Sequence, residues 1–294
     1  MRAIVLSGGG ARGAFQVGAL RHLLGAKRNR YDIICGTSVG ALNGAFLAQY
    51  QVGQEPEAAR GLEDLWRSLK GNGSIYRRWY WGLLGRLPAV LPRWAGGRLS
   101  AYSSKPLRHL VRTRLSPRRV QESGRILRVG AVDLVTGERK VWTEQDGPRL
   151  WDGVLASSSF PVMLEPVRIG SALYTDDGVR DITPIGEAIL AGATEIDAIA
   201  CSPLGVPPHK PKTGLDVLER CLMAMSDEID RQDFDVVELY NGLVRTGQAP
   251  GKREITLRVL RPREPVLESG LDFDPRKIRA NIELGFEAAK GTAW

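Results

Sequence analysis

Cysteine is scarce in this 294-residue chain: Cys35, Cys201 and Cys221 are the three present. Their spacing suits neither a zinc cluster nor a disulfide framework. Cys35 and Cys201 stand in apolar, strand-like contexts, which predicts buried free thiols in a reducing compartment. Histidine is equally scarce, with His22, His109 and His209. Three histidines among scattered acids form no metal constellation, so neither a metal nor another cofactor is expected. No stretch approaches the ~18 consecutive apolar residues of a membrane span. Nor does the start read as a secretory leader, because Met1 and Arg2 meet an apolar run of four residues that ends in glycines. A cytoplasmic protein is expected.

Acidic residues are missing from one long interval. Between Asp64 and Glu122 there is none, while 13 basic residues fall there, from Arg67 and Lys70 to Arg118 and Arg119. The formal net charge is +8, yet outside this interval 28 basic residues face 33 acidic ones, a net of −5. The chain therefore carries one basic segment on a mildly acidic body. That segment, residues 66–119, is also aromatic, with Trp66, Tyr76, Trp79, Tyr80, Trp81, Trp94 and Tyr102. Indoles, aliphatic residues and arginines in "RRWYWGLLGRLPAVLPRWAGGR" suit a lipid interface. Arginines with aromatics also fit nucleic acid, but the prolines and the aliphatic run favour an anionic membrane surface. Inward-packed aromatics with arginines snorkelling outward are the third reading.

What is present is ordinary for a globular protein, with 43% hydrophobic and 25% charged residues. Strand-like and helix-like stretches alternate. Ile4–Leu6 predicts a strand and Ala11–Leu24 a helix; "YDIICG" and "VGALNGAFLAQYQ" repeat the pair. "ILRVGAVDLVTGERKVWTE" reads as two strands about a Thr136-Gly137 turn, and "EITLRVLRP" as a late strand. A closing amphipathic helix starts at Asp274-Pro275. No repeat or low-complexity linker interrupts the pattern. Such alternation predicts an α/β fold of three layers, α/β/α, with a mostly parallel sheet covered on both faces. A single domain over residues 1–294 is expected, the basic segment being an elaboration of it, a docking or lid region.

Two glycine turns carry the chemistry. The first strand runs into Gly8-Gly9-Gly10-Ala11-Arg12-Gly13, whose glycines satisfy the G-x-G-x-x-G pattern of dinucleotide sites. Such a site wants an acid at the end of the second strand, and the nearby acid, Asp32, stands at its beginning. That strand ends instead in Gly36-Thr37-Ser38-Val39-Gly40. A strand, G-x-S-x-G and a helix form a nucleophile elbow, with Ser38 exposed above the sheet edge and the Val39 amide placed to meet an oxyanion. In a parallel sheet both turns face one edge, so donors around Gly8, Gly9 and Gly10 converge with Ser38. A histidine completing a triad would follow the acid. Only His209 is so placed, and its proline-rich loop, "GVPPHKPKTG", reads as surface.

"GGGARG", "GTSVGALNG", "ASSSFPVMLEPV" and "YTDDGVRDITPI" in this order resemble the patatin-like phospholipase family. The resemblance implies a three-layer fold and hydrolysis of lipid acyl esters by a Ser–Asp dyad through an acyl-enzyme. It implies that the glycine loop, here Gly8, Gly9, Gly10 and Arg12 together with Val39, forms the oxyanion hole, between the elbow glycines Gly36 and Gly40. The dyad aspartate of the family lies in an Asp-Gly-Gly or Asp-Gly-Ala motif, and this chain departs from it with Tyr174-Thr175-Asp176-Asp177-Gly178-Val179. Family members reach a proline eight residues after the aspartate, and Pro184 stands eight after Asp176. Asp176 is thus the expected partner of Ser38, with Asp177 the alternative. The implied partners are a phospholipid or other acyl-ester lipid and an anionic membrane, to which the protein would bind peripherally. An acyltransferase using the same serine, or a non-catalytic lipid-binding protein, are the alternatives.

Overall fold

The computed structural model describes residues 1–78, 99–206, 208, 210–212, 214–267 and 269–292. Most of the aromatic run, including Trp79, Tyr80, Trp81 and Trp94, lies outside the described residues, as does His209.

The chain begins with β1 (Arg2–Leu6), α1 (Gly13–Leu20) with a π-type turn to Ala26, β2 (Ile33–Gly36), α2 (Val39–Leu47) and α3 (Glu55–Arg67). A two-residue ladder follows, β3 (Arg77–Arg78) against β4 (Tyr102–Ser103). Next come α4 (Lys105–Arg114), α5 (Pro117–Glu122), β5 (Ile126–Asp133), β6 (Arg139–Thr143) and α6 (Arg149–Ser157). The remaining elements are β7 (Val167–Ile169), β8 (Ala172–Asp176), α7 (Ile185–Leu190), β9 (Glu195–Ile199), α8 (Gly214–Arg245), β10 (Thr256–Leu260) and α9 (Pro275–Lys290). The expected strands and helices are present. "LDVLERCLMAMSDEIDRQDFDVVELYNGL" forms one long helix, and Asp274 caps α9 by accepting from the amides of Arg276 and Lys277.

The main sheet runs in the order β10-β9-β1-β2-β5-β8-β7, with β6 also paired to β5. β10, β9, β1, β2 and β5 are parallel; β6, β7 and β8 add antiparallel ladders. Alternation of side chains sorts the strands onto two layers. Ala3, Val5, Ile33 and Cys35 pack with Ile185 and Ala188 of α7 and Val237 of α8. Ile4, Leu6, Ile34, Leu127 and Val129 face the larger core, built with α1, α2, α3, α4, α6 and α9. Cys35 and Cys201 are buried and Cys221 is exposed; all three are free thiols. Among the described residues no helix is long and apolar enough to cross a membrane.

One detail of β5 matters most. Along one edge Ile126–Val129 pairs with β2, and farther on Ala131–Asp133 pairs antiparallel with β8. The opposite edge, from Arg128 to Val132, takes β6. β2 and β8 therefore lie end to end on the same edge of β5 and run toward each other. Gly36 is level with Val129 and Asp176 with Ala131, so the end of β8 faces the end of β2.

The outer layer is held by a close helix crossing. A Cβ on Gly18 of α1 would lie 1.8 Å from the Ile282 carbonyl oxygen of α9, and one on Gly285 would lie 2.0 Å from the Phe15 carbonyl oxygen. Gly18→Ala is expected to destabilise by about 1–3 kcal/mol, the cost of overpacking against backbone. Gly25→Ala, where a Cβ meets nothing within 4 Å, is expected to be neutral or to stabilise by up to about 1 kcal/mol. Urea unfolding of the two variants measures the contrast.

Candidate active site

Ser38 sits between β2 and α2 with φ 57° and ψ −123°, a conformation that a side chain adopts only when its surroundings enforce it. The enforcement is steric and polar. A Cβ on Gly36 would lie 2.3 Å from the Gly40 carbonyl oxygen, and one on Gly40 would lie 2.1 Å from that of Leu6. Only glycines let the helix start this close to two strands. The Ser38 amide donates to Ser157 Oγ at 3.1 Å, and Ser158 Oγ donates to the Ser38 carbonyl at 3.2 Å. Thr37 Oγ1 donates to the Asp181 carbonyl at 2.8 Å.

The same serine cluster holds the facing strand. The Ser159 carbonyl accepts from the Asp176 amide at 3.1 Å and from Thr175 Oγ1 at 2.8 Å. Asp176 is thereby locked opposite Ser38, almost fully buried. Its Oδ1 accepts from the Gly178 amide at 2.9 Å. Burial pushes the carboxyl up to about 7, offset in part by the Ser38 hydroxyl and the Gly178 amide, which favour the charged form. The hydroxyl contact falls short of full hydrogen-bond geometry, and Oδ2 completes no hydrogen bond. Asp177 points elsewhere: Arg139 Nε donates to its Oδ1 at 2.9 Å and its Oδ2 at 2.7 Å.

The glycine loop closes the site on a third side. Gly9 (φ 156°) and Gly10 (φ 58°) take positive φ, and a Cβ on Gly10 would lie 2.2 Å from the Gly270 carbonyl oxygen. The amides of Gly9, Gly10 and Val39 donate to no group among the described residues, and all three residues line the cavity described below. Gly8 and Arg12 depart from the expected donor set. The Gly8 amide donates to the Ile182 carbonyl at 3.0 Å and the Arg12 amide to that of Gly9 at 3.2 Å. Arg12 is buried rather than solvated, its Nε donating to the Leu267 carbonyl at 3.2 Å. Sequence reasoning missed the carbonyls of Ile182, Leu267 and Gly270, because no motif marks a backbone carbonyl. The Asp32 carboxylate binds the Arg2 amide at 3.1 Å, at the sheet end remote from the glycine loop.

Ser38, Asp176 and the glycine loop open into one cavity of about 570 Å³. Its inner walls are apolar, among them Leu42, Phe46, Trp66, Leu69, Leu107 and Phe273, and no histidine lines it among the described residues. Trp66 therefore belongs to the cavity wall. Tyr76 and Tyr102 pack on each other at 4.8 Å between ring centroids, and Tyr76 donates to the Leu271 carbonyl at 2.7 Å. Trp66 is buried, and Tyr76 and Tyr102 are half-buried and pack against the core, as the inward-packed reading expects. A buried polar chain ties the wall to the loop: Trp66 Nε1 to Asn43 Oδ1 (2.8 Å), Asn43 Nδ2 to Gln16 Oε1 (3.0 Å), and Gln16 Nε2 to the Ser7 carbonyl (2.9 Å).

The position of Asp176 has a consequence for stability. Its folded pKa lies above the unfolded carboxylate value, so the folded state binds the extra proton between the two. Its contribution to stability is full below the ordinary carboxylate range and is lost as pH rises through about 7. Asp176→Asn is therefore expected to raise the melting temperature, and by more at about pH 8 than at about pH 5. Thermal melts of the two proteins at both values test the difference.

The model of patatin-like phospholipases matches residues 4–189. No curated protein sequence matches the chain. Among solved structures, VipD from Legionella pneumophila superposes with a TM-score of 0.43 at 12% identity, covering 98% of this chain and 66% of that one. This chain thus spans just under two thirds of the VipD chain. The family match runs from the first strand through the glycine loop, the elbow and both aspartates into α7, and the chain belongs to the patatin-like phospholipase family.

Proposed function

We propose that this protein hydrolyses acyl esters of lipids, of the phospholipase A or lysophospholipase type, with Ser38 as nucleophile and Asp176 as its base. The observation that carries this reading is the meeting of a strained serine, a buried carboxyl and three amides, unpaired among the described residues, in the lining of one apolar cavity. Ser38 Oγ attacks the ester carbonyl and its proton passes to Asp176. The carbonyl oxygen, now negative, accepts from the amides of Gly9, Gly10 and Val39, where one lost donor costs ~3 kcal/mol of transition-state stabilisation. Asp176 returns the proton to the departing alcohol, leaving the acyl group on Ser38. Water, activated by the same carboxylate, then releases the fatty acid.

A carboxyl near 7 is a stronger base than an ordinary carboxylate and is still substantially ionised at neutral pH. The apolar cavity receives an acyl chain, and the chain's burial drives binding. For access to packed lipid, the acid-free segment supplies cations. Arg77, Arg78, Lys105 and Arg112 are exposed, and each basic residue near an anionic leaflet contributes ~1 kcal/mol, screened by salt. The protein would then act as a peripheral enzyme at an anionic surface.

Two predictions test this reading. On mixed phospholipid vesicles, Ser38→Ala is expected to release no fatty acid and to lose labelling by a fluorophosphonate. Asp176→Asn is expected to fall by about 100-fold or more, while Asp177→Asn retains activity. Mass spectrometry of the products identifies the bond cut, and ester products formed in added alcohol reveal an acyltransferase. A wild-type protein that neither releases fatty acid nor takes the label sinks the enzymatic reading. Secondly, the initial rate on a soluble ester is expected to rise with pH through about 7, as Asp176 loses its proton.

A further inference from the structure

The motif holds two adjacent aspartates, and a second free carboxylate beside Ser38 would compete with Asp176 and repel its charge. The structure separates them. Asp176 ends β8 and faces the cavity, and Asp177, the first residue of the 3-10 turn that follows, instead lies against Gly130 of β5 and does not line the cavity. There it is fully buried.

Arg139 of β6 meets it. The guanidinium reaches across β5 at Gly130, where a Cβ would lie 1.9 Å from Asp177 Oδ2 and 2.7 Å from Arg139 Nη2. The space exists because residue 130 has no side chain. Besides the two Nε contacts, Arg139 Nη2 lies 2.7 Å from Asp177 Oδ2 and 2.8 Å from Asp181 Oδ2, and Nη1 pairs with Glu187 of α7. One cation thus serves three carboxylates. Two more acids of α8 stand behind them: Asp230 accepts from Thr183 and pairs with Arg261 at 3.1 Å, and Asp233 accepts from the Thr183 amide. Burial pushes Asp177, Asp181 and Asp233 up, and Arg139 opposes this in each.

We propose that Arg139 is a positioning residue. It holds the Asp177 carboxylate away from the site and neutralises it, so that Asp176 alone faces Ser38 and can ionise. This rests on the Ser38–Asp176 reading above. Arg139 stands in the hairpin strand "RKVWT", outside every motif that carries the family resemblance, and it does not line the cavity. The Asp-Asp-Gly departure and Arg139 form one unit, with Gly130 as its third member.

The test is the pH profile of hydrolysis of a soluble short-chain ester by the full-length protein and its variants, each checked by thermal melting. Arg139→Gln leaves three carboxylates without their cation. It is expected to move the acidic limb upward by about one pH unit, a roughly tenfold loss of kcat below the limb, with KM unchanged. Asp177→Asn keeps the shape and removes the charge, so its limb moves downward. The double variant Arg139→Gln/Asp177→Asn is expected to recover toward wild type. A folded Arg139→Gln protein with a wild-type limb, or a double variant no better than Arg139→Gln, overturns the proposal. Should Arg139→Gln not fold, Gly130→Ala decides, because it displaces the same pair without changing any charge. Its limb is expected to move upward, and unshifted limbs in both Gly130→Ala and Asp177→Asn overturn the proposal. Failure of the underlying dyad reads differently: Asp176→Asn would then hydrolyse the ester as wild type does.

Discussion

The site depends on one edge of one strand. β2 and β8 both pair with the same edge of β5 and meet end to end, which brings together two residues 138 positions apart in sequence, Ser38 and Asp176. Register is decisive here. Side chains alternate with period two, so a slip of one residue between β8 and β5 would turn Asp176 away and present a neighbour instead. The Ser159 carbonyl, accepting from the Asp176 amide and the Thr175 hydroxyl, pins that register. Its neighbours Ser157 and Ser158 pin the elbow, so a single helix end aligns both halves of the site.

This arrangement has energetic costs that the rest of the fold must offset. Ser38 occupies a strained backbone conformation, of order 1–3 kcal/mol, and Asp176 is a buried carboxyl with an unfilled oxygen. Both are tolerable because dense apolar packing lies on either side of the sheet, and because α1 and α9 cross at glycines close enough for backbone contact. The glycine loop likewise gains its shape from elsewhere. The Gly270 carbonyl accepts from the Ala11 amide at 2.7 Å, and Arg12 holds the Leu267 carbonyl. Leu267 and Gly270 lie beyond the stretch matched by the family model, yet their carbonyls brace the part of the site nearest the start of the chain. Tyr76 ties Leu271, next to Gly270, to the basic segment by donating to its carbonyl.

Much of the architecture was legible in the residues. Alternating strand and helix patterns with glycine turns between them define a mostly parallel sheet covered on both faces, and the elbow around Ser38 follows from G-x-S-x-G between a strand and a helix. These are short-range effects, set by the sterics of consecutive residues and the periodicity of a few turns. The antiparallel β7–β8 edge was less legible, because short strands carry little periodic signal. Composition left three readings of the aromatics open, inward packing among them. Trp66, Tyr76 and Tyr102 share the composition of an interfacial segment, but they form a cavity wall and its supports.

The residues alone placed the turn that carries Ser38 and the glycine turn beside it, since each is a local feature. They favoured Asp176 over Asp177 through the spacing to Pro184, and they left four candidate glycine-loop residues undistinguished. The fold gives these groups different partners, which no local pattern announces. The register of β8 on β5 turns Asp176 toward Ser38, while Arg139, reaching across Gly130, takes Asp177. The Ile182 carbonyl occupies the Gly8 amide, leaving those of Gly9 and Gly10 unpaired among the described residues. In each case the deciding contact is a hydrogen bond or ion pair between segments far apart in the chain. The closure of the fold creates those contacts, and residue spacing does not.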